Sequence, residues 1–202
     1  MKLEAIGIGK QLPDKSWLFR SIDLSIRQGE IVGLQGASGS GKSTLCRILA
    51  GMDSPTEGEV RINGHLLPKR GYHPVQLVYQ HPEHAVNPRW KVGAILNEGW
   101  QPDDELLDAL HIDRSWFNRW PSELSGGQLQ RICIARSLSP HTSYLLADEM
   151  TTMLDAITQA QIWKTALQIA ERRKMGMLVV SHDRALLHKV CDRVIDFHAW
   201  TV

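Results

Sequence analysis

The sequence predicts an α/β domain with a mostly parallel sheet, antiparallel strands at the N-terminus and an inserted helical lobe. Strand-like and helix-like segments alternate before residue 83 and again after residue 139, as they do in βαβ units. The first segments alternate apolar and polar side chains, which is typical of half-exposed strands. Between residues 83 and 139 the strand pattern stops and short helical patterns replace it.

The N-terminal part predicts strands, a glycine-rich loop and one helix. LEAIGIG and SIDLSIRQGE predict two half-exposed strands, with a turn at Gln28-Gly29. EIVGLQG predicts a buried strand that runs into the glycine-rich loop, and KSTLCRILAGM predicts the helix after it. GEVRINGHLL then predicts a strand and a turn at Asn63-Gly64, and PVQLVYQ predicts another buried strand.

The middle of the chain predicts helices, and the C-terminal part returns to strands. VGAILNEGW, DDELLDALHI and QLQRICIARSL predict helices, the second with an acidic first turn at 103–105. SYLLADE, MGMLVVSHD and DRVIDFHAW predict strands, and ITQAQIWKTALQIAERRK predicts an amphipathic helix between the first two. We therefore expect one domain over residues 1–202, with a core of 1–82 and 140–202 and a helical lobe of 83–139.

The composition is that of a globular protein of one domain, with 43% hydrophobic and 22% charged residues. A formal net charge of +1 gives no sign of a broadly basic surface, so we expect no nucleic-acid partner. The cysteines, Cys46, Cys133 and Cys191, are widely spaced in apolar runs, and we expect buried free thiols in a reducing compartment. No apolar run approaches the roughly 20 residues that span a bilayer. A membrane role would therefore act through a partner.

A phosphate-binding loop is the strongest chemical motif of the chain. GASGSGKST, residues Gly36 to Thr44, matches the pattern G-x-x-x-x-G-K-[ST] between a predicted strand and a predicted helix. Its glycines let successive backbone N–H groups turn toward phosphate oxygens at a helix N-terminus. Lys42 would reach the β- and γ-phosphates, and the hydroxyl of Ser43 would coordinate magnesium. The alternative is a flexible glycine-serine turn, against which the strand–helix context argues. The predicted phosphate-binding residues are Gly36, Ala37, Ser38, Gly39, Ser40, Gly41, Lys42, Ser43 and Thr44.

Three other predicted strands end in polar side chains that suit phosphoryl transfer. Asp148 and Glu149 follow the apolar strand YLLA, and parallel strands place them beside the phosphate loop. Asp148 would hold the magnesium shell through water, and Glu149 would orient or deprotonate a water molecule aimed at the γ-phosphate. Gln80 would reach magnesium or water, and His182 the γ-phosphate or the attacking water. The alternatives are an ordinary acidic helix start and a histidine that caps the next helix.

The ordered set of GASGSGKST, Gln80, LSGGQ, LLADE and SHD is similar to the ATP-binding-cassette (ABC) ATPase family, of which LSGGQ is the distinguishing mark. The resemblance implies a head-to-tail pair of domains with two ATP molecules and Mg²⁺ at the interface, where Asp155 would also lie. The signature residues would contact the ATP bound to the opposite subunit. They are Leu124, Ser125, Gly126, Gly127 and Gln128. A serine hydroxyl and glycine N–H groups at a helix start suit such an anion.

The chain departs from the family pattern at three places. Met150 stands where the family usually has a proline, and TTMLD replaces the commoner serine-alanine-leucine-aspartate turn. We expect these changes to tune the interface without abolishing hydrolysis, because Glu149 is intact. Leu12 falls where the family often has an adenine-stacking tyrosine. Trp17 is therefore the candidate for that contact, and a structural tryptophan is the alternative.

Within the family, VYQHPEHAVNPRW is similar to the second ATPase subunit of dipeptide, oligopeptide and nickel importers. The compact lobe and His81-Pro82 look closest to nickel or metal-chelate members, with peptide import as the alternative. The resemblance implies a second ATPase subunit, identical or related, and two transmembrane permease subunits. It also implies a periplasmic or lipid-anchored binding protein and a location on the cytoplasmic face of the inner membrane. Branch members usually have a C-terminal extension, which we expect this chain to lack.

Two other interpretations stay open at this point. A non-transport family member would fit poorly, since such members tend to carry long coiled coils or tandem cassettes. A partner that binds nucleotide without hydrolysing it is opposed by the intact Lys42, Asp148, Glu149 and His182. Four tryptophans of the lobe also have two interpretations, either core packing or a groove that grips a cytoplasmic helix of a permease. They are Trp90, Trp100, Trp116 and Trp120.

Overall fold

The alternating apolar side chains of the first residues form strands, as the sequence predicts, in a computed structural model that describes residues 1–68 and 70–200. The strands are β1 (Lys2–Gln11), β2 (Trp17–Arg27), β3 (Ile31–Gln35), β4 (Glu57–Ile62), β5 (His65–Leu66), β6 (Val75–Val78), β7 (Tyr144–Asp148), β8 (Gly176–Val180) and β9 (Arg193–Asp196). The α-helices are α1 (Lys42–Leu49), α2 (Val92–Leu96), α3 (Asp104–Ala109), α4 (Gly126–Ser137), α5 (Ala156–Arg173) and α6 (Arg184–Val190). Short 3₁₀ turns lie at Pro82–Ala85, Arg114–Trp116, Pro121–Glu123 and Phe197–Trp200.

An antiparallel sheet of four strands, in the order β2-β1-β4-β5, contains the N-terminal strands. In β2 the side chains of Ile22, Leu24 and Ile26 are buried and those between them are exposed. This alternation is what one buried face requires, because successive side chains of a strand point to opposite faces. The prediction of antiparallel N-terminal strands is confirmed.

A parallel sheet of five strands, in the order β6-β7-β8-β3-β9, forms the centre of the molecule. Every residue of β7 and β8 is buried, as expected for central strands covered on both faces. Asp148 pairs with Val180, and Leu34 pairs with the same residue from the other side. The carboxyl ends of these strands therefore meet at one edge of the sheet.

The segment from residue 83 to 139 contains α2, α3 and α4 and, within the described residues, no strand. Its apolar side chains do not form a core of their own. Val92 and Ile95 of α2 belong to the same buried cluster as Val78 of β6 and Ala147 of β7. The division into a core of 1–82 and 140–202 and a lobe of 83–139 stays a prediction, and residues 69, 201 and 202 of it lie outside the described residues.

The prediction for the last strand needs correction. DRVIDFHAW is a strand only to Asp196, because the next residues turn so that the buried ring of Phe197 packs edge-on against Phe19, with 5.8 Å between the centroids.

Core packing accounts for two of the lobe tryptophans. Trp116 is buried, and Trp100 is half-buried and donates a hydrogen bond to the carbonyl of Arg136. Trp90 and Trp120 are 42% and 40% exposed.

The cysteines are free thiols, as expected, but they are not equally buried. Cys46 and Cys133 are buried, whereas Cys191 is half-buried. Burial raises the pKa of Cys133 to about 11 and that of Cys191 to about 12, so both are protonated at neutral pH. No helix in the described part of the chain is long and apolar enough to span a bilayer.

Candidate active site

The glycine-rich loop Gly36–Thr44 connects the carboxyl end of β3 to α1. Gly41 precedes the helix with a φ of 108°, a backbone conformation that is unfavourable for every residue with a Cβ atom. A Cβ atom at Gly41 would also lie 2.9 Å from Cδ1 of Phe19 in β2. The close contact with β2 and the left-handed backbone together require glycine at this position.

The start of α1 has backbone donors that no side chain satisfies. Among the described residues, no side chain accepts a hydrogen bond from the first turn of this helix. The first N–H groups of a helix point outward along its axis and attract anions. Ala37, Ser38 and Gly39 form the exposed tip of the loop in front of them. The loop therefore has the geometry of a phosphate cradle.

Lys42 lies inside this loop. It is only 7% exposed, and its Nζ donates hydrogen bonds to the carbonyl oxygens of Gly36, at 2.9 Å, and Ala37, at 2.6 Å. Oγ of Ser40 lies 3.4 Å from the same nitrogen. These neutral acceptors hold the ammonium group at the mouth of the loop, where a phosphate oxygen would be a stronger, charged acceptor.

The edge of the parallel sheet brings Gln80, Glu149 and His182 together, as the sequence predicts. Nε2 of Gln80 donates to Oε2 of Glu149 at 3.1 Å, and Nδ1 of His182 lies 3.4 Å from Oε1 of the same carboxylate. Asp183, and not His182, caps α6, since its carboxylate accepts the N–H of Leu186. The alternative interpretation of His182 as a helix cap is therefore wrong.

Glu149 has an unusual backbone for a side chain of its size. Its φ is +49°, in the left-handed region that favours glycine. Its N–H donates to the carbonyl of Val180 at the end of β8, and the N–H and hydroxyl of Thr152 both donate to its own carbonyl. These bonds fix the turn after β7, from which the carboxylate reaches Gln80 and His182.

Asp148 is the last residue of β7 and is 5% exposed. Burial raises the pKa of this carboxyl group, while a hydrogen bond from Ser43 and the charge of Lys42 oppose the rise. A carboxylate, a serine hydroxyl and the amide oxygen of Gln80 are the hard oxygen ligands that Mg²⁺ takes together with phosphate oxygens and water. These residues fit the ion. No group of three or more His, Cys, Asp or Glu side chains in the described ranges has the geometry of a protein-only metal site.

The signature residues lie elsewhere, at the start of α4. Oγ of Ser125 accepts the N–H of Gln128 at 3.2 Å, and Oε1 of Gln128 accepts the N–H of Ser125 at 2.9 Å, a reciprocal capping box. A Cβ at Gly127 would lie 2.8 Å from Cδ2 of Leu154, so this glycine lets α4 approach the turn after β7. Leu124 is half-buried beside them, and Gly126 is exposed. The box leaves the hydroxyl hydrogen of Ser125 free to donate.

Asp155 and Trp17 have contacts of their own, apart from the cluster around Glu149. The carboxylate of Asp155 caps α5 and accepts the N–H groups of Thr158 and Ile157, which lower its pKa. Trp17 is half-buried on β2, with the guanidinium carbon of Arg20 4.4 Å from the centroid of its ring. These contacts test neither the interface role of Asp155 nor the adenine contact of Trp17.

Gln130 is a site residue that the sequence patterns did not single out. Its side chain is fully buried between the turns that follow β6 and β7, where it donates hydrogen bonds to the carbonyls of Tyr79 and Met150. Both acceptors are distant in sequence, so no local spacing marks them. The capping box was visible in the sequence, because Ser-x-x-Gln before an apolar run is its signature.

This parallel sheet with a glycine-rich loop after β3 is the fold of a P-loop NTPase. The family profile described as ABC transporter matches residues 19–152. Two relatives are the Nickel import ATP-binding protein NikE of Escherichia coli (strain K12) and of Shigella boydii serotype 4 (strain Sb227). Each is 34% identical to this chain in an alignment of 197 residues that covers 88% of this chain and 74% of the relative.

Two solved structures are similar over 96% of this chain and 93% of their own, each with a TM-score of 0.80. One is described as the dimeric structure of a post-hydrolysis state of the ATP-binding cassette MJ0796 bound to ADP and Pi, at 25% identity. The other is described as the dimeric structure of MJ0796, a bacterial ABC transporter cassette, at 26% identity. The chain belongs to the ABC transporter family and is an ATP-binding ATPase of that family.

Proposed function

We propose that this chain hydrolyses ATP to drive an importer for nickel or a metal chelate. The observation that carries the hydrolytic part is the Glu149 carboxylate, held between Gln80 and His182 at the sheet edge from which the phosphate loop also leaves. A carboxylate in this position can orient a water molecule in line with a phosphate. The cargo rests on the 34% identity with nickel-import relatives over most of the chain.

The roles of the residues follow from their contacts. Lys42 exchanges the carbonyls of Gly36 and Ala37 for β- and γ-phosphate oxygens, and residues 36–44 hold the phosphates with their N–H groups. Ser43, Gln80 and, through water, Asp148 would hold Mg²⁺, and the bound ion would offset the charge of the phosphate oxygens. Glu149 orients the attacking water and accepts its proton. His182, which is 71% exposed, donates to the γ-phosphate oxygens as the phosphoryl group leaves ADP.

The site becomes complete in a head-to-tail pair. Leu124 to Gln128 would meet the γ-phosphate of the opposite subunit, with Asp155 at the same interface. The dimeric cassettes that resemble this chain support such a pair. The lobe of residues 83–139 would carry the signature residues as one body, and Trp17 would contact the adenine.

The remaining partners follow from the importer assignment. Two transmembrane permease subunits would bind the chain at the cytoplasmic face of the inner membrane, and a periplasmic or lipid-anchored protein would deliver the cargo. The exposed Trp90 and Trp120 leave apolar surface for the permease. Uptake of radioactive nickel by the assembled transporter, with and without a chelator, tests the cargo. Uptake of peptides and no nickel would overturn the assignment.

The Glu149→Gln substitution tests the hydrolytic role. We expect kcat for ATP hydrolysis to fall roughly 10²- to 10⁴-fold, because the amide cannot accept a proton, while the Kd for ATP stays unchanged. Phosphate release and calorimetric binding measure the two quantities. Glu171→Gln, on the exposed surface of α5, is the matched control and should leave both unchanged. Undiminished hydrolysis by the Glu149→Gln variant would refute the role.

A further inference from the structure

Gln130 lies in the second turn of α4 and is completely buried. Its Nε2 uses both hydrogens, one toward the carbonyl of Tyr79 at 2.8 Å and one toward the carbonyl of Met150 at 2.9 Å. A glutamine without exposure is uncommon in a helix, and the two bonds explain why it is retained here in place of an apolar residue.

The two acceptors are the backbone neighbours of proposed catalytic side chains. Tyr79 immediately precedes Gln80, and Met150 immediately follows Glu149. Gln80 and Glu149 also contact each other, with 3.1 Å between Nε2 and Oε2. One amide group of α4 therefore fixes the spacing of the two backbone segments from which this contact is made.

Gln130 is the first of three donors on one face of α4. Cys133 and Arg136 follow it at intervals of one helical turn, and Sγ of the first lies 3.8 Å from the carbonyl of Pro82. Nη2 of Arg136 donates to the carbonyl of Ala85 at 2.7 Å. In all three pairs donor and acceptor are 51 residues apart, so α4 and the segment 79–85 run side by side in a constant register. The thiol is a weak donor, and Gln130 and Arg136 carry the attachment.

The turn after Glu149 has a second attachment that does not involve α4. Nε1 of Trp163, in α5, donates to Oγ1 of Thr151 at 3.1 Å, and both side chains are buried. Thr151 is therefore held by α5, whereas Met150 is held by α4. Apart from the direct bond of Gln80 to Glu149, Gln130 is the one side chain in the described residues whose hydrogen bonds join the turn after β7 to the segment that contains Gln80.

We propose that Gln130 is a positioning residue for ATP hydrolysis. It sets the separation of Gln80 and Glu149 through their backbone neighbours and makes this separation depend on the position of α4. Ser125 caps the same helix in the turn before Gln130, so a ligand bound there adjusts the two side chains as a unit. This inference rests on the proposed hydrolytic function, and it assigns to Gln130 no contact with ATP.

Gln130→Met tests the inference, because methionine has nearly the same shape and no donor. We expect kcat to fall roughly 10- to 100-fold, the effect of a small misplacement of reacting groups, with the Kd for ATP changed less than about twofold. In a Gln80→Ala background the same substitution should lower kcat far less, since one of its two targets is gone. Thr165→Val is the matched control. It removes the hydrogen bond from α5 to the carbonyl of Ala109 in α3 and should leave kcat unchanged.

The measurements separate positioning from a purely structural role. Equal losses of ATP binding and kcat, or additive effects with Gln80→Ala, would show that Gln130 supports the fold only and would overturn the inference. So would an unchanged kcat. If Gln130→Met does not fold, Gln130→Glu tests the same loss of a hydrogen bond. Complete burial favours the neutral carboxyl group, which has one O–H donor in place of two N–H donors. If the Glu149→Gln variant hydrolyses ATP as fast as the wild type, the proposed function is refuted, and the inference about Gln130 falls with it.

Discussion

The starts of α1 and α4 are alike in sequence and different in structure. Both helices follow a loop rich in glycine and serine, and in both the first N–H groups could receive an anion. At α1 no side chain among the described residues caps the first turn, and Lys42 stands beside it. At α4 the side chains of Ser125 and Gln128 satisfy each other's N–H groups.

The two helix starts therefore differ in how far the chain's own side chains satisfy their backbone donors. The loop before α1 has unsatisfied donors and a buried ammonium group, an arrangement that a phosphate stabilises. At the start of α4 the capping box satisfies the N–H groups of Ser125 and Gln128, which leaves the N–H groups of Gly126 and Gly127 and the hydroxyl hydrogen of Ser125 as donors. The first site can therefore bind a nucleotide within one chain, whereas the second contributes only when another body brings an anion to it.

Lys42→Met should have the largest effect on ATP binding. The Kd for ATP of the isolated chain should rise roughly 100-fold, because a charge-assisted hydrogen bond contributes about 1.5 to 3 kcal/mol and more than one is lost. Isothermal calorimetry measures this value. Lys164→Met, which removes an exposed lysine of α5, is the control and should not change the affinity. Equal affinities of the Lys42→Met variant and the wild type would contradict the assignment of the loop.

Ser125→Ala should have a smaller effect and a different one. The Kd for ATP of the isolated chain should stay the same, while kcat falls about tenfold because one donor to the γ-phosphate is lost. The loss of the cap should also reduce the free energy of unfolding by about 1 kcal/mol.

Mixing Ser125→Ala with Glu149→Gln protein shows where the serine acts. In a head-to-tail pair of identical chains, one site of each mixed pair combines the intact Glu149 of one chain with the intact Ser125 of the other. Phosphate release should then exceed that of either variant alone. No recovery on mixing would mean that Ser125 acts within its own chain.

A third helix start, that of α5, is capped by a carboxylate, and its substitution should have the smallest effect of all. Asp155 caps it with a charge, and the N–H groups of Thr158 and Ile157 hold the pKa of its carboxyl group below its usual range. The stabilisation by the carboxylate is fully present above the pKa of an aspartate in the unfolded chain, and it is lost as the pH falls through the lowered pKa of the folded state. Asp155→Asn should therefore lower the melting temperature on the order of 1 °C at pH 7. The difference should disappear in acid, and a difference independent of pH would contradict the charge effect.

Local patterns predicted most of the strands, the phosphate loop and the residues at the sheet edge, because each of these depends on neighbours in sequence. The strand before Phe197 was predicted too long, since the packing of its ring on Phe19 decides where the strand ends. The same holds for the lobe tryptophans, whose exposure depends on distant helices. The role of Gln130 was invisible for this reason as well, because its acceptors come from two other elements.

The backbone of Glu149 has a consequence for the evolution of the chain. A left-handed φ of +49° costs a residue with a side chain roughly 1 kcal/mol that glycine would not lose. A copy of this gene released from ATP hydrolysis would thus gain stability by mutation of Glu149 to glycine or asparagine.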